Sequence, residues 1–248
     1  MEKISPENHE KIYEHFANIE INKKLQSIGF FAMHLLYKSD VYYENNSDEK
    51  IHSHLSNGGS VILAPNHQSL ADTPTIAGLV YEDAFKPLKG TTIIPAKAEM
   101  FIWPLVGRFI PHMLAHPAFR SKSFDDIPEG KTMRDAATNN LINFNIDHLN
   151  NGGHCAIFSE STRNRNNPKE VRDLKTGIAR IAMGVKNRDS LAIIPMGFAY
   201  RIKSLHLRPL VVAGEPIITT GMNQEEILDS AKDSIQEVTT KAFELVKI

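Results

Sequence analysis

The chain opens with Ile12, Phe16, Ile19, Leu25, Ile28 and Leu35, apolar positions whose spacing fits a helical period better than alternation and predicts one or two leading helices over about residues 6–37. After that the pattern changes. Short β-rich runs at 40–43, 60–64, 91–95, 154–158, 191–195 and 210–213 alternate with helix-like segments, and a last helix covers about 223–246. This order predicts an α/β fold: a central, largely parallel mixed sheet flanked by helices, with a short N-terminal helical segment. Residues 1–38 form that segment, packing on the core or at a membrane interface, and 39–248 form the α/β domain. Asn57-Gly58-Gly59 and Asn150-Asn151-Gly152-Gly153 each stand between a helical pattern and an apolar strand, where a helix end favours a residue that tolerates positive φ. Both strands run into polar clusters, 66–69 and 159–163. Ligands gather at the carboxyl ends of strands in open α/β sheets, so these two clusters are the candidate site. No internal repeat, low-complexity tract or interdomain linker is expected.

Composition narrows the partners. With 248 residues and 42% apolar content, the chain can close one sizeable core. A formal net charge of -1 provides no global basic field, so nucleic acid is not an expected partner and anion recognition must be local. The single cysteine, Cys155, lies in the apolar run 154–158 and reads as a small core filler. The polar N-terminus lacks the layout of a secretory signal, which points to a cytoplasmic setting. The apolar stretch 28–37 is interrupted by His34 and falls short of the roughly 20 residues that a spanning helix needs. Flanked by Lys23, Lys24 and Lys38, it fits either packing on the core or an amphipathic anchor at the inner face of the cell membrane.

Two groups of residues can carry chemistry. His67 follows the strand at 61–64, and Asp72 stands five residues later, where Thr73-Pro74 begins a helix. A strand-to-helix turn can fold the pair so that the carboxylate holds one imidazole nitrogen and the other is free to take a hydroxyl proton. The plainer reading is a helix N-cap aspartate beside a satisfied polar histidine. The stretch from Glu160 to Arg180 carries Arg163, Arg165, Lys169, Arg172, Lys175 and Arg180, a local cationic excess in a nearly neutral chain. Arginine forks match phosphate oxygens. For Lys169 and Arg172 a solvated helix face is the expected role, whereas Arg163 and Arg165 sit at the strand exit.

The order of blocks 66–74, 94–99, 103–108, Phe158-Ser159-Glu160-Ser161-Thr162-Arg163, Lys175-Thr176-Gly177, Ile194-Pro195 and Gly214-Glu215-Pro216-Ile217 resembles the glycerolipid acyltransferases, which act on glycerol-3-phosphate or 1-acylglycerol-3-phosphate. The resemblance implies that His67 is the general base and Asp72 its orienting acid, matching H-x-x-x-x-D. It implies that Glu160 to Arg163, with Arg165, bind the acceptor phosphate, that Ile194 and Pro195 border the substrate pocket, and that Arg120 or Lys122 adds a basic group. It further implies an acyl thioester of coenzyme A or of acyl carrier protein as co-substrate, no cofactor or metal, and a role in phosphatidate synthesis. Ser161 replaces the family's glycine, so a turn requiring positive φ would be strained there. Two alternatives stand beside this reading. An inactive lipid or acyl-carrier binder is one; a metal-dependent hydrolase using His112 and His116, four residues apart on a helical face, is the other.

Overall fold

The computed structural model describes residues 4–203 and 206–246, without the side chains of 202–207. Helices α1 (His9–Ala17) and α2 (Lys23–Leu36) precede β1 (Asp40–Tyr43), α3 (Ser47–Ser56), β2 (Ser60–Pro65), α4 (Asp72–Leu79) and β3 (Thr92–Lys97). The short α5 (Val106–Phe109), β4 (Ala115–Ala118), α6 (Gly130–Asn150), β5 (His154–Ala156) and α7 (Gly177–Gly184) follow. Strands β6 (Leu191–Lys203), β7 (His206–Ala213) and β8 (Ile217–Ile218) lead into α8 (Gln224–Val246). The strand order is β1-β7-β6-β2-β5-β3-β4, with β8 also on β6. All pairings are parallel except β6 with β7 and β6 with β8. This is the mixed, mostly parallel α/β sheet that the pattern predicts.

Strand alternation divides the core. Val61 and Leu63 of β2 join Ala192, Ile194 and Met196 of β6 on the face that α3 and α4 cover, whereas Ile62, Ala64, Leu191 and Ile193 face α6, α7 and α8. Both faces are closed, so β2 is buried along its whole length and presents only its carboxyl end. Cys155 is fully buried in β5, as its apolar context suggests.

The structure corrects several boundaries. Strand β4 was not anticipated, because Ala115-His116-Pro117-Ala118 contains no β-branched residue and includes a proline, which an edge strand accommodates. Strand β6 continues well past Pro195, the last residue expected in it, and pairs antiparallel with β7 over residues 196–203 and 206–213. His112 lies in a 3-10 turn and His116 in β4, separated by Leu114 at φ 60°, so the two imidazoles share no helical face and the proposed metal pair is not built.

A short duplication, missed in the sequence, closes two helices. His-Leu-x-Asn-Gly-Gly occurs at 54–59 and at 148–153. Gly58 and Gly152 both take φ 78°. A Cβ on Gly59 or Gly153 would lie 2.3 or 2.2 Å from the ring of His54 or His148. Each ring then bonds a carbonyl, His54 Nε2 to Ser60 O at 3.0 Å and His148 Nε2 to Thr91 O at 2.7 Å. Carbonyls only accept, so both Nε2 atoms carry hydrogen. Nearby, His154 Nδ1 accepts from Val61 N at 3.3 Å, which requires an unprotonated Nδ1.

Burial favours the neutral forms of His148, His154 and the fully buried His116. It lowers the His154 pKa to about 4, with the charges of His148 and His54 adding to the effect, lowers His148 despite its bond to Thr91, and lowers His116 to about 3. Between those values and the unfolded value near 6.5, the unfolded chain binds more protons, so stability present above about pH 6.5 drains away as the pH falls. Urea unfolding at pH 7 and pH 5 should show a loss of about 2 kcal/mol for each of His154 and His116. His154→Asn, which keeps an acceptor for Val61 N, should remove roughly one such increment from the difference.

Candidate active site

Strand β2 delivers the chain into a loop that the rest of the fold holds from three sides. Asn66, the first residue past the strand, is buried and pairs with the main chain of Phe198 in β6: Phe198 N donates to Asn66 Oδ1 at 2.7 Å, and Asn66 Nδ2 donates to Phe198 O at 3.2 Å. The Gln68 amide also donates to Phe198 O. His67 stands between these anchors. Its backbone N–H donates to Glu160 Oε1 at 2.7 Å, its carbonyl accepts from Asn164 N at 2.7 Å, and its ring lies 4.3 Å from that of Phe158.

The imidazole is oriented by a fully buried carboxylate. Asp72 Oδ2 lies 2.8 Å from His67 Nδ1 and accepts from Gln68 N at 2.8 Å and Ser69 N at 2.9 Å, while Oδ1 accepts from the Tyr200 hydroxyl at 2.5 Å. Asp72 opens α4, yet it does not cap the helix: its acceptors point back to the preceding loop and to the imidazole. Four donors around one buried carboxylate provide what an ionised form needs away from water. Nδ1 thereby carries the proton on Asp72, and Nε2 is left as an acceptor. The side chain of His67 is about one-fifth exposed, at 19%.

Nε2 serves a cavity of about 920 Å³. His67, Lys97, Arg163 and Arg165 line it, together with a mostly apolar surface that includes Ile76, Leu79, Phe85, Leu88 and Ile94. Arg163, Arg165, Arg120 and Lys97 are close enough to perturb one another. Burial, then Arg165 and Arg120, hold Arg163 below its ordinary value, with Asp72 opposing. Burial, then Arg120 and Arg163, likewise lower Lys97, against Glu99. A buried guanidinium nitrogen, Arg163 Nη1, has no hydrogen-bond partner. Cations that repel one another around an unpaired donor form a receptor for a multiply charged anion.

The predicted site residues thus divide. His67, Asp72, Arg163, Arg165 and Arg120 come together, whereas Lys122 is exposed on a 3-10 turn and is not among the charges felt by Lys97 or Arg163. Glu160, expected to bind substrate, is buried with one oxygen on His67 N and the other on Arg172 N at 3.1 Å, so its carboxylate braces two loops instead of facing the cavity. Burial raises its pKa, and the two amide bonds oppose that rise. Ile194 and Pro195 lie inside β6, paired with Leu63 and Ala64, and do not line the cavity. Lys97 and Tyr200 were missed. Lys97 ends β3, so its position at a strand exit was a usable signal; Tyr200 is 128 residues from Asp72 and offered none.

The profile of the family described as acyltransferase matches residues 44–199, well over half of the chain and all of the site described above except Tyr200, which lies one residue beyond it. The chain belongs to the acyltransferase family. No curated protein matches it in a direct sequence comparison. In this acyltransferase His67, Asp72 and the Arg163 loop all lie inside the matched span.

Ser161 resolves one departure from the resemblance. Its φ is 60°, the left-handed conformation for which glycine is suited, so the loop keeps the turn and the serine bears the strain. That takes away the motive for an inactive binder. Ser161 is exposed, so packing does not complicate substitution. Ser161→Gly should stabilise by about 0.5–1 kcal/mol and Ser161→Val destabilise by about 1–2 kcal/mol. Urea midpoints read both effects.

Proposed function

We propose that this acyltransferase moves a fatty acyl chain from a thioester, of coenzyme A or of acyl carrier protein, to a hydroxyl of glycerol-3-phosphate or 1-acylglycerol-3-phosphate, in the synthesis of phosphatidate. The observation that carries this reading is the meeting, at one imidazole, of an unpaired cationic cluster and a deep apolar cavity. A phosphate fits the first and an acyl chain fits the second. At about 920 Å³ the cavity is near the upper end of the roughly 300–1,000 Å³ usual for small-molecule sites, which suits a long flexible chain.

The mechanism follows from the orientation of the histidine. Arg163, Arg165, Arg120 and Lys97 hold the acceptor phosphate, which places the free hydroxyl beside His67 Nε2. Nε2 removes the hydroxyl proton as oxygen attacks the thioester carbonyl, and Asp72 stabilises the imidazolium that forms. The carbon–sulfur bond then breaks, and His67 returns the proton to the departing thiolate. No acyl-enzyme is needed and no cofactor takes part. Phosphate binding contributes much of the rate by making the attack effectively intramolecular.

Purified protein should be incubated with a panel of acyl thioesters and phosphorylated glycerols, with products identified by mass. His67→Ala should lower kcat at least a hundredfold with acceptor affinity retained. Arg163→Ala should raise the acceptor KM about 10- to 100-fold, the equivalent of losing a charged hydrogen bond. Full turnover by the His67→Ala protein would overturn the mechanism.

The reading extends to peripheral attachment at the inner face of the cell membrane. Among the described residues no helix is long and apolar enough to cross a membrane. Helix α2 buries Gln26, Gly29 and Phe30 but exposes Ile28, Phe31, Leu35 and Leu36, beside the exposed Lys23 and Lys24. Ile102, Trp103 and Leu105 are exposed too, and Trp103 lies on the cavity wall. Such a face suits an interface where apolar side chains enter lipid and lysines meet anionic headgroups. Wild-type protein should sediment with anionic vesicles, and Phe31→Glu with Leu35→Glu should leave it in the supernatant; equal sedimentation of both would remove this part of the reading.

A further inference from the structure

Tyr200 touches the proposed machinery without being used by it. It lies in β6, opposite Pro209 of β7, and its hydroxyl donates to Asp72 Oδ1 at 2.5 Å. The other carboxylate oxygen already receives His67 Nδ1, Gln68 N and Ser69 N. Two residues earlier in the same strand, the main chain of Phe198 holds the side chains of Asn66 and Gln68. One strand therefore grips the loop on either side of His67, by backbone at its start and by a single side chain at Asp72.

We propose that Tyr200 is a positioning residue for His67, acting through Asp72: its hydroxyl fixes the carboxylate's rotation and draws part of its charge away from the imidazole. The argument rests on His67 being the base of the proposed transfer. The torsion that turns an aspartate carboxylate is broad, so backbone amides on one oxygen leave a rocking freedom that a donor on the other removes. A hydrogen bond to the anion also spreads its charge and weakens its hold on the Nδ1 proton. Burial, with the charge of Asp72, keeps the Tyr200 hydroxyl protonated well above its ordinary range, so it remains a donor wherever the enzyme works.

The charged and titratable groups around the trio are Glu160 behind the His67 amide, Lys97, Glu99, Arg163 and Arg165 at the cavity, and Tyr37 near Tyr200. All of them persist when only the hydroxyl is removed. A difference between wild type and Tyr200→Phe therefore reports that hydroxyl.

The test is steady-state transfer across pH by wild type and Tyr200→Phe, with the Nδ1–H proton resonance of His67, assigned by its loss in His67→Ala, recorded in both. We expect kcat to fall about tenfold with the acceptor KM within twofold, the acid limb of the kcat/KM profile to move to higher pH, and the resonance to shift. If Tyr200→Phe does not fold, 3-fluorotyrosine at position 200, a stronger donor of the same shape, should move the limb the opposite way. An unmoved limb and resonance would overturn the proposal, even with a lowered kcat, because the tyrosine would then serve structure alone. Should the wild type transfer no acyl group, the reading of function fails, and the resonance still decides whether Tyr200 acts on the imidazole.

Discussion

A fully buried aspartate is the constraint from which the site is organised. Asp72 can be charged there only because four donors surround it, and those donors come from the loop after β2, from His67 itself and from the far end of β6. Loss of any one leaves a buried acceptor short of a partner, a cost of about 1–3 kcal/mol. The carboxylate thus does two jobs with one set of bonds. It folds the strand-to-helix turn into a single shape, and that shape presents one imidazole nitrogen to the cavity while committing the other.

Glu160 performs the matching service for the second loop. Its carboxylate joins His67 N to Arg172 N, so the segment that bears Arg163 and Arg165 is tied to the segment that bears His67. A second tie runs from Asn164 N to the His67 carbonyl. The distance between the Arg163 loop and His67 is consequently set by bonds to the main chain, while flexible side chains only complete the cationic cluster. Precision of this kind is what an attack on a thioester by a positioned hydroxyl requires, since small misplacements cost large factors in rate.

How much of this was legible follows from range. The leading helices, six strands, the last helix and the two polar clusters all depend on local period and on the exits of strands, and each stands near its expected place. The positive φ of Gly58 and Gly152 was readable for the same reason. His67 and Asp72 are five residues apart on a turn, so their pairing was visible too. What escaped was set by contacts distant in sequence. Nothing near Tyr200 says that its hydroxyl reaches a residue 128 positions away. Glu160 looked like a ligand because it belongs to a charged motif, and only the folded chain shows both its oxygens consumed by amides. β4 lacks β-branched residues and gains its strand form from β3, its one neighbour in the sheet among the described residues.

The cationic cluster carries the remaining step of the argument. Burial and the charges of Arg165 and Arg120 lower the proton affinity of Arg163 and of Lys97, and Arg163 keeps an unpaired buried nitrogen. A fold selected for stability alone would pair these groups with carboxylates, yet Glu99 at Lys97 and Asp72 at Arg163 only partly offset the cations, and Glu160 is occupied by amides. The repulsion is therefore a standing local cost that an arriving dianion would relieve. That relief depends on charge and geometry and is indifferent to what the phosphate is attached to, so the cluster can select for phosphate but not between acceptors. In the transfer proposed above, discrimination between a bare glycerol phosphate and one already acylated would fall to the apolar part of the cavity, whose lining includes Ile76, Leu79 and Phe85.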